Sequence, residues 1–277
     1  MNRNSPIGVF DSGVGGLTVF RQIRNLLPAE DIIYFGDTKR TPYGPRSVEQ
    51  IKEFTREILS FMKQQKIKLA VAACNTITVN LDDIPKEFDF QIVGMSKGVE
   101  TAVMSTKTNK IGVIATVATI NSNKHFEEIT ASNSTLEVFP KACPAFAQLV
   151  ENEQFHGEAV DRYAVEYLSS LKAANVDTVI LACTHYPFIL LAISKVLPGI
   201  QLIDPAEETA RQVKTVLSQA DLLKDKGQGY NKLYFSADLP RVKRIIANMY
   251  DLNKCEYYCI DLPGFVRNEY LRRSAGL

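Results

Sequence analysis

The stretch LAVAACNT, residues 69–76, carries an apolar run straight into a thiol, Cys74, and then into the polar pair Asn75-Thr76. A second stretch, TVILACTH at 178–185, has the same design and ends on Cys183, Thr184 and His185. Short apolar runs bounded by polar residues have the length and composition of strands buried on both faces, as in parallel sheets. Pro187 suits the first turn of a helix, which puts Thr184 and His185 in a strand-to-helix loop. Backbone donors converge on anions in such loops, and the carboxylate of an amino acid fits one.

Working outward, IGVF (7–10), DIIYF (31–35), QIV (91–93), IGVIA (111–115) and QLI (201–203) read as further buried strands. Between them lie segments of helical period. From about Gly157 to Ala173, the residues Val160, Tyr163, Ala164, Tyr167, Leu168 and Leu171 form one stripe, and Val48, Ile51, Ile58 and Met62 form another across Ser47–Gln65. Strands alternating with helices predict an α/β fold built from parallel βα units in an open, doubly wound sheet, with ligands at the carboxyl ends of the strands.

The pattern also repeats. IGVFDSGVG at 7–15 resembles IGVIATVAT at 111–119, an offset of 104 residues, and the two cysteine segments are offset by 109, from 74 to 183. Buried parallel strands look alike in any such fold, which is the competing explanation. Two pairs at nearly one spacing favour two similar α/β halves related by a pseudo-twofold axis, with a cleft between them. The expected boundaries are residues 1–97 with 208–277 for the first domain and 98–207 for the second. Asp11-Ser12 is then answered by Ala115-Thr116, and each half presents one thiol to the cleft.

Composition narrows the classes. The 277 residues are 45% hydrophobic, enough for a substantial core, and 32 basic residues stand against 31 acidic ones. A balance so even gives no field that would favour nucleic acid or an anionic membrane. No segment has the length and apolarity of a signal peptide or a membrane span, so a cytoplasmic location is expected. Five cysteines, at 74, 143, 183, 255 and 259, lack the density of a disulfide scaffold and are expected as reduced thiols. Cys143, Cys255 and Cys259 read as packing residues.

Competing motifs fail on their own terms. DSGVGGLT has Gly13 and Gly15 but Thr18 where the dinucleotide fingerprint requires glycine or alanine, and no GK[ST] follows a glycine run. Cys74, Cys183 and His185 could ligate a metal, yet no CxxC or HxxxH spacing accompanies them. A Cys183 nucleophile activated by His185 is a third possibility, and it leaves Cys74 without a task.

GVFDSGVGGLTV, YFGDTKRTPYGPRS, ACNT, CPAF, ACTHYPF and DPAEETA, in this order, resemble the signature segments of the glutamate racemases within the aspartate/glutamate racemase family, over residues 7–210. The resemblance implies a cofactor-independent amino-acid racemase, with no metal, in which one thiol removes the α-proton while the other delivers a proton to the opposite face. It assigns catalysis to Cys74 and Cys183, assisted by Asp11 and His185. Substrate binding is carried over to Asp11, Ser12, Tyr43, Gly44, Asn75, Thr76, Thr184 and His185, with Thr116 and Thr119 as weaker candidates. Aspartate racemases tend to carry glutamate where this chain has His185, so the resemblance favours L- and D-glutamate as the small-molecule partner. It further implies a homodimer supplying D-glutamate for peptidoglycan. An aspartate or broader amino-acid racemase, or a non-catalytic amino-acid-binding module, remain as alternatives.

Overall fold

The chain, seen as a computed structural model that describes residues 2–247 and 255–262, forms two parallel sheets with helices on their faces. It opens with β1 (Ile7–Asp11), α1 (Leu17–Leu26), β2 (Ile32–Gly36), α2 (Val48–Gln64), β3 (Leu69–Ala72), the single turn α3 (Asn75–Thr78), β4 (Gln91–Gly94) and α4 (Val99–Ser105). Then follow β5 (Lys110–Ala115), α5 (Val117–Asn121), α6 (Lys124–Ser132), β6 (Glu137–Ala142), α7 (Pro144–Glu151), α8 (Glu158–Ala173), β7 (Thr178–Ala182), α9 (Leu190–Val196) and β8 (Gln201–Ile203). The described chain closes with α10 (Ala206–Gln219), β9 (Asn231–Phe235), α11 (Leu239–Ala247) and β10 (Cys255–Cys259).

One sheet has the order β10-β9-β2-β1-β3-β4 and the other β6-β5-β7-β8. The repeat seen in the sequence is therefore a repeat of position: β1 lies between β2 and β3 as β5 lies between β6 and β7, so β2-β1-β3-β4 and β6-β5-β7-β8 correspond. In each sheet the chain leaves the central strand to one side and later returns on the other. That reversal opens a crevice at the carboxyl ends of β1 and β3, and another at those of β5 and β7. Cys74 follows β3 and Cys183 follows β7, so each thiol stands at its sheet's switch point.

Burial explains why these runs became strands. Every residue of β1, β2, β3 and β7 is buried, with helices covering both faces as parallel sheets require. The helix α2 starts on Ser47 in a capping box, with Ser47 Oγ accepting from Gln50 N–H and Gln50 Oε1 accepting from Ser47 N–H, each at 3.3 Å. Its Ile51, Ile58 and Met62 are buried as their spacing indicates, whereas Val48 is 44% exposed. Val48 lies in the first turn, beyond the part of the helix that packs on the sheet. Along α8, Val160, Ala164, Tyr167, Leu168 and Leu171 are buried and Tyr163 is half-buried.

Three strands, β6, β9 and β10, were not expected. β6 is an edge strand containing Pro140, with every residue exposed or half-exposed. β9 alternates buried and half-buried positions, and β10 is the outer edge of its sheet. That edge position corrects one expectation for the thiols. Cys143 is fully buried and Cys255 half-buried, but Cys259 is exposed and fills no core space. Among the described residues no helix is long and apolar enough to cross a membrane.

Candidate active site

The two switch points face one another across a single cavity. From the first sheet it is bordered by Ser12, Cys74, Asn75 and Thr76 together with the Pro42-Tyr43-Gly44 loop, and from the second by Thr116, Cys183, Thr184 and His185. Both cysteines are 6% exposed, so the thiols are equally enclosed and open on the same space. Ten of the twelve residues expected from the sequence line it. The other two, Asp11 and Thr119, stand one layer behind. The space holds about one water molecule, so an amino acid enters only if the walls move apart.

Short local turns place each group. After β1, the Asp11 carboxylate accepts from Gly13 N–H at 2.7 Å through Oδ1, folding the glycine-rich segment back over the strand end. Its Oδ2 accepts from Thr184 Oγ1 at 3.1 Å, so this carboxylate of the first half is bonded to the loop that carries Cys183. Cys74 Sγ lies 3.7 Å from Ser12 Oγ. Beyond β7, Cys183, Thr184 and His185 precede a turn of 3-10 helix over Tyr186–Ile189 with proline at its start, as Pro187 indicates. Thr76 Oγ1 meets Thr116 Oγ1 at 2.8 Å and Thr119 Oγ1 at 3.4 Å, a hydroxyl cluster across the cleft. Tyr43 is buried, and its hydroxyl donates to Asp37 Oδ2. Asn75 Nδ2 is buried with no hydrogen-bond partner among the described residues, a donor left free on the cavity wall.

The description Asp/Glu/Hydantoin racemase belongs to the family model that matches residues 7–213. The chain is a member of this family. Its curated relatives include glutamate racemase 3 of Caldanaerobacter subterraneus subsp. tengcongensis, 41% identical over 236 residues, which span 84% of this chain and 86% of the relative. Among solved structures, glutamate racemase isoform RacE1 of Bacillus anthracis is 37% identical with a TM-score of 0.87, over 95% of this chain and 99% of that one. The glutamate racemase of Francisella tularensis subsp. tularensis SCHU S4, solved in complex with D-glutamate, is 35% identical with a TM-score of 0.82, over 93% and 97%.

The electrostatics of the cavity follow from burial and from the groups packed around it. Burial pushes the Asp11 carboxyl up to about 6, against the pull of His185 and the Gly13 N–H. Cys74 is pushed well above an ordinary thiol, first by burial and then by the Asp11 carboxylate nearby, so in the closed cavity it holds its proton. His185 is raised well above an ordinary imidazole. Burial alone would lower it, but its hydrogen bonds to Cys183 and Glu151, with the negative charge of the Glu151 carboxylate, prevail. The distances are 3.8 Å from Nδ1 to Cys183 Sγ and 2.8 Å from Nε2 to Glu151 Oε1. Among the described residues no group of three or more His, Cys, Asp and Glu is arranged to hold a metal ion.

Glu151 is the residue that sequence reasoning missed. It ends α7, is 2% exposed, and its Oε1 also accepts from Val14 N–H at 3.0 Å and from Thr41 Oγ1 at 3.4 Å. The His185 bond holds its carboxyl below the usual glutamate range in spite of burial. The available signal was one acid closing the apolar helix PAFAQLVE, a position where a helix dipole disfavours negative charge. Ala147 and Pro42 also stand on the cavity wall.

Proposed function

We propose that this protein is a cofactor-independent glutamate racemase that interconverts L- and D-glutamate with Cys74 and Cys183 as its two acid–base groups. The observation that carries the reading is the pair of equally enclosed thiols, one at each sheet's switch point, bordering one cavity. Inversion needs such opposition. A base on one face of the α-carbon can only regenerate the enantiomer it started from unless a proton arrives from the other face.

With glutamate between the thiols, the proton on Cα passes to one sulfur as thiolate, and the C–H electron pair moves into the adjoining carboxylate as a transient enediolate. The opposite S–H then delivers its proton to the other face, leaving the first sulfur as thiol and the second as thiolate. His185 Nδ1, 3.8 Å from Cys183 Sγ, is placed to exchange a proton with that sulfur, while Cys74 starts as the proton donor. The reverse direction exchanges these roles. Preorganised donors must meet the developing charge, and Asn75 Nδ2 with the hydroxyls of Ser12, Thr76, Thr116 and Thr184 are the groups at hand. Asp11 pairs with the substrate ammonium once the walls part to admit glutamate, and Tyr43 and Gly44 close the wall beside Thr116.

The working unit in this reading is a pair of domains, residues 1–97 with 208–277 and residues 98–207. The likeness to relatives named glutamate racemase supports glutamate over aspartate. The expected setting is a bacterial cytoplasm, with the enzyme as a homodimer and D-glutamate passing to peptidoglycan synthesis.

The test is proton NMR and circular dichroism of L-glutamate incubated with the protein in deuterium oxide, without pyridoxal phosphate, with L-aspartate in parallel. Loss of the α-proton signal together with optical activity, for glutamate alone, is the expected result. Equal turnover of aspartate would replace the substrate assignment, and an untouched α-proton in both tubes would replace the enzyme with a binding module.

Asp11 sets the pH dependence. A carboxyl titrating at about 6 is ionised above that pH and protonated below it. A neutral Asp11 no longer pairs with the ammonium, so kcat/KM should fall below pH 6 by about tenfold per pH unit. Asp11→Asn should remove this limb, and a limb that persisted in the variant would belong to another group.

A further inference from the structure

The last described helix of the first sheet's half reaches into the site from outside. Arg241, in the first turn of α11, extends to the carboxyl end of α7, where Nη1 donates to the backbone oxygen of Glu151 and lies 3.3 Å from Glu151 Oε2. Its Nε donates to Asp238 Oδ2 at 2.9 Å, which steadies the guanidinium from its own side. The buried side chains of Val242, Ile245 and Ile246 anchor α11 beneath it. A helix end of this kind has carbonyls without intrahelical partners and partial negative charge, so a guanidinium is stabilised there twice over.

The two oxygens of Glu151 are thereby divided. Oε1 receives Val14 N–H and His185 Nε2, while Oε2 faces Arg241. A planar, five-donor guanidinium orients a carboxylate in a way a point charge does not. A buried carboxylate also needs a compensating cation to remain ionised at low cost. Contacts then run from Arg241 through Glu151 and His185 to Cys183 Sγ, beginning on an element that belongs to the opposite sheet's half.

We propose that Arg241 is a positioning residue for Cys183: it fixes the Glu151 carboxylate in the orientation that presses His185 against the sulfur. The racemase reading supplies only the use to which that sulfur is put. Arg244, one turn along the same helix, provides the control. It pairs with Glu153 at 2.7 Å, joining α11 to the segment just after α7 without touching the Glu151 carboxylate.

The experiment measures iodoacetamide alkylation of Cys183 and Cys74 separately, by peptide mass spectrometry at neutral pH, beside steady-state kinetics. Arg241→Gln should slow alkylation of Cys183 about tenfold and lower kcat comparably, as expected of a displaced orienting group. Cys74 should react at its wild-type rate, and KM should stay within about twofold because substrate contacts are intact. Arg241→Lys should recover part of the loss, and Arg244→Gln should behave as wild type. Arg241→Met, which keeps the packing of the stem, is read in the same way if the glutamine variant does not fold. Equal slowing at both cysteines, no slowing at all, or the same loss from Arg244→Gln would overturn the proposal. The alkylation result needs no turnover. Wild-type protein that shows this dependence of Cys183 on Arg241 but leaves glutamate unchanged would count against the racemase reading and not against this one.

Discussion

Replacing either Cys74 or Cys183 with alanine is expected to lower the rate of racemisation by about 1000-fold or more, equivalent to about 4 kcal/mol of lost transition-state stabilisation. The loss should be alike for the two variants and in both directions, because each turnover uses one sulfur as base and the other as acid. Neither change should unfold the protein. Each sulfur borders the cavity at the edge of the packed core, so its removal enlarges an existing space and costs on the order of 1 kcal/mol. Circular dichroism spectra that overlay the wild type, with optical rotation of glutamate followed from each enantiomer, make the measurement. Near-normal turnover by either variant would rule out opposed thiols.

Gly15→Ala should be nearly as damaging, though Gly15 performs no chemistry. A Cβ at this position would stand 2.5 Å from Thr184 Oγ1, 2.8 Å from His185 Nδ1 and 2.9 Å from His185 Cε1. These are distances that atoms do not tolerate, so something must shift. The imidazole cannot retreat freely, because Nε2 is held by Glu151 at 2.8 Å and the ring is buried. Thr184 is held in turn by Asp11. Overpacking of this kind costs about 1–3 kcal/mol of stability. A displacement of about 1 Å at His185 is enough for a loss of about 100-fold in kcat. A modest fall in melting temperature with a large fall in kcat is the expected pair of results. Wild-type kcat would mean that the loop yields without moving His185.

These two variants differ in what made them foreseeable. The cysteines were legible because each ends an apolar run and begins polar sequence, a local pattern readable within eight residues. Gly15 was visible as part of a glycine-rich segment, but its closeness to His185 joins positions 170 residues apart, for which no periodicity exists. The same holds for Glu151, which meets a histidine 34 residues away, and for Arg241, 90 residues from its carboxylate. Strands followed a similar rule. The central strands announced themselves by composition, and so did the edge strands β4 and β8, although these were expected to be buried and are only partly so; the edge strands β6 and β10 and the alternating β9 did not, since one solvated face or an exposed edge permits polar residues and even Pro140.

The sequence by itself determined the class of fold, the duplication of its halves, the two thiols and most of the residues that wall the cavity. The fold class, the duplication and the thiols follow from hydrophobic burial and chain geometry, which act over a few neighbours and leave a readable period, whereas the wall residues came from the resemblance of the motifs to the racemase family. Only the tertiary structure decided that the two switch points face one another, that Asp11 of one half bonds Thr184 of the other, and that Glu151 and Arg241 stand behind His185. Those arrangements depend on how separate elements dock. Buried charges choose their partners by proximity in space, and the chain records that proximity nowhere along its length.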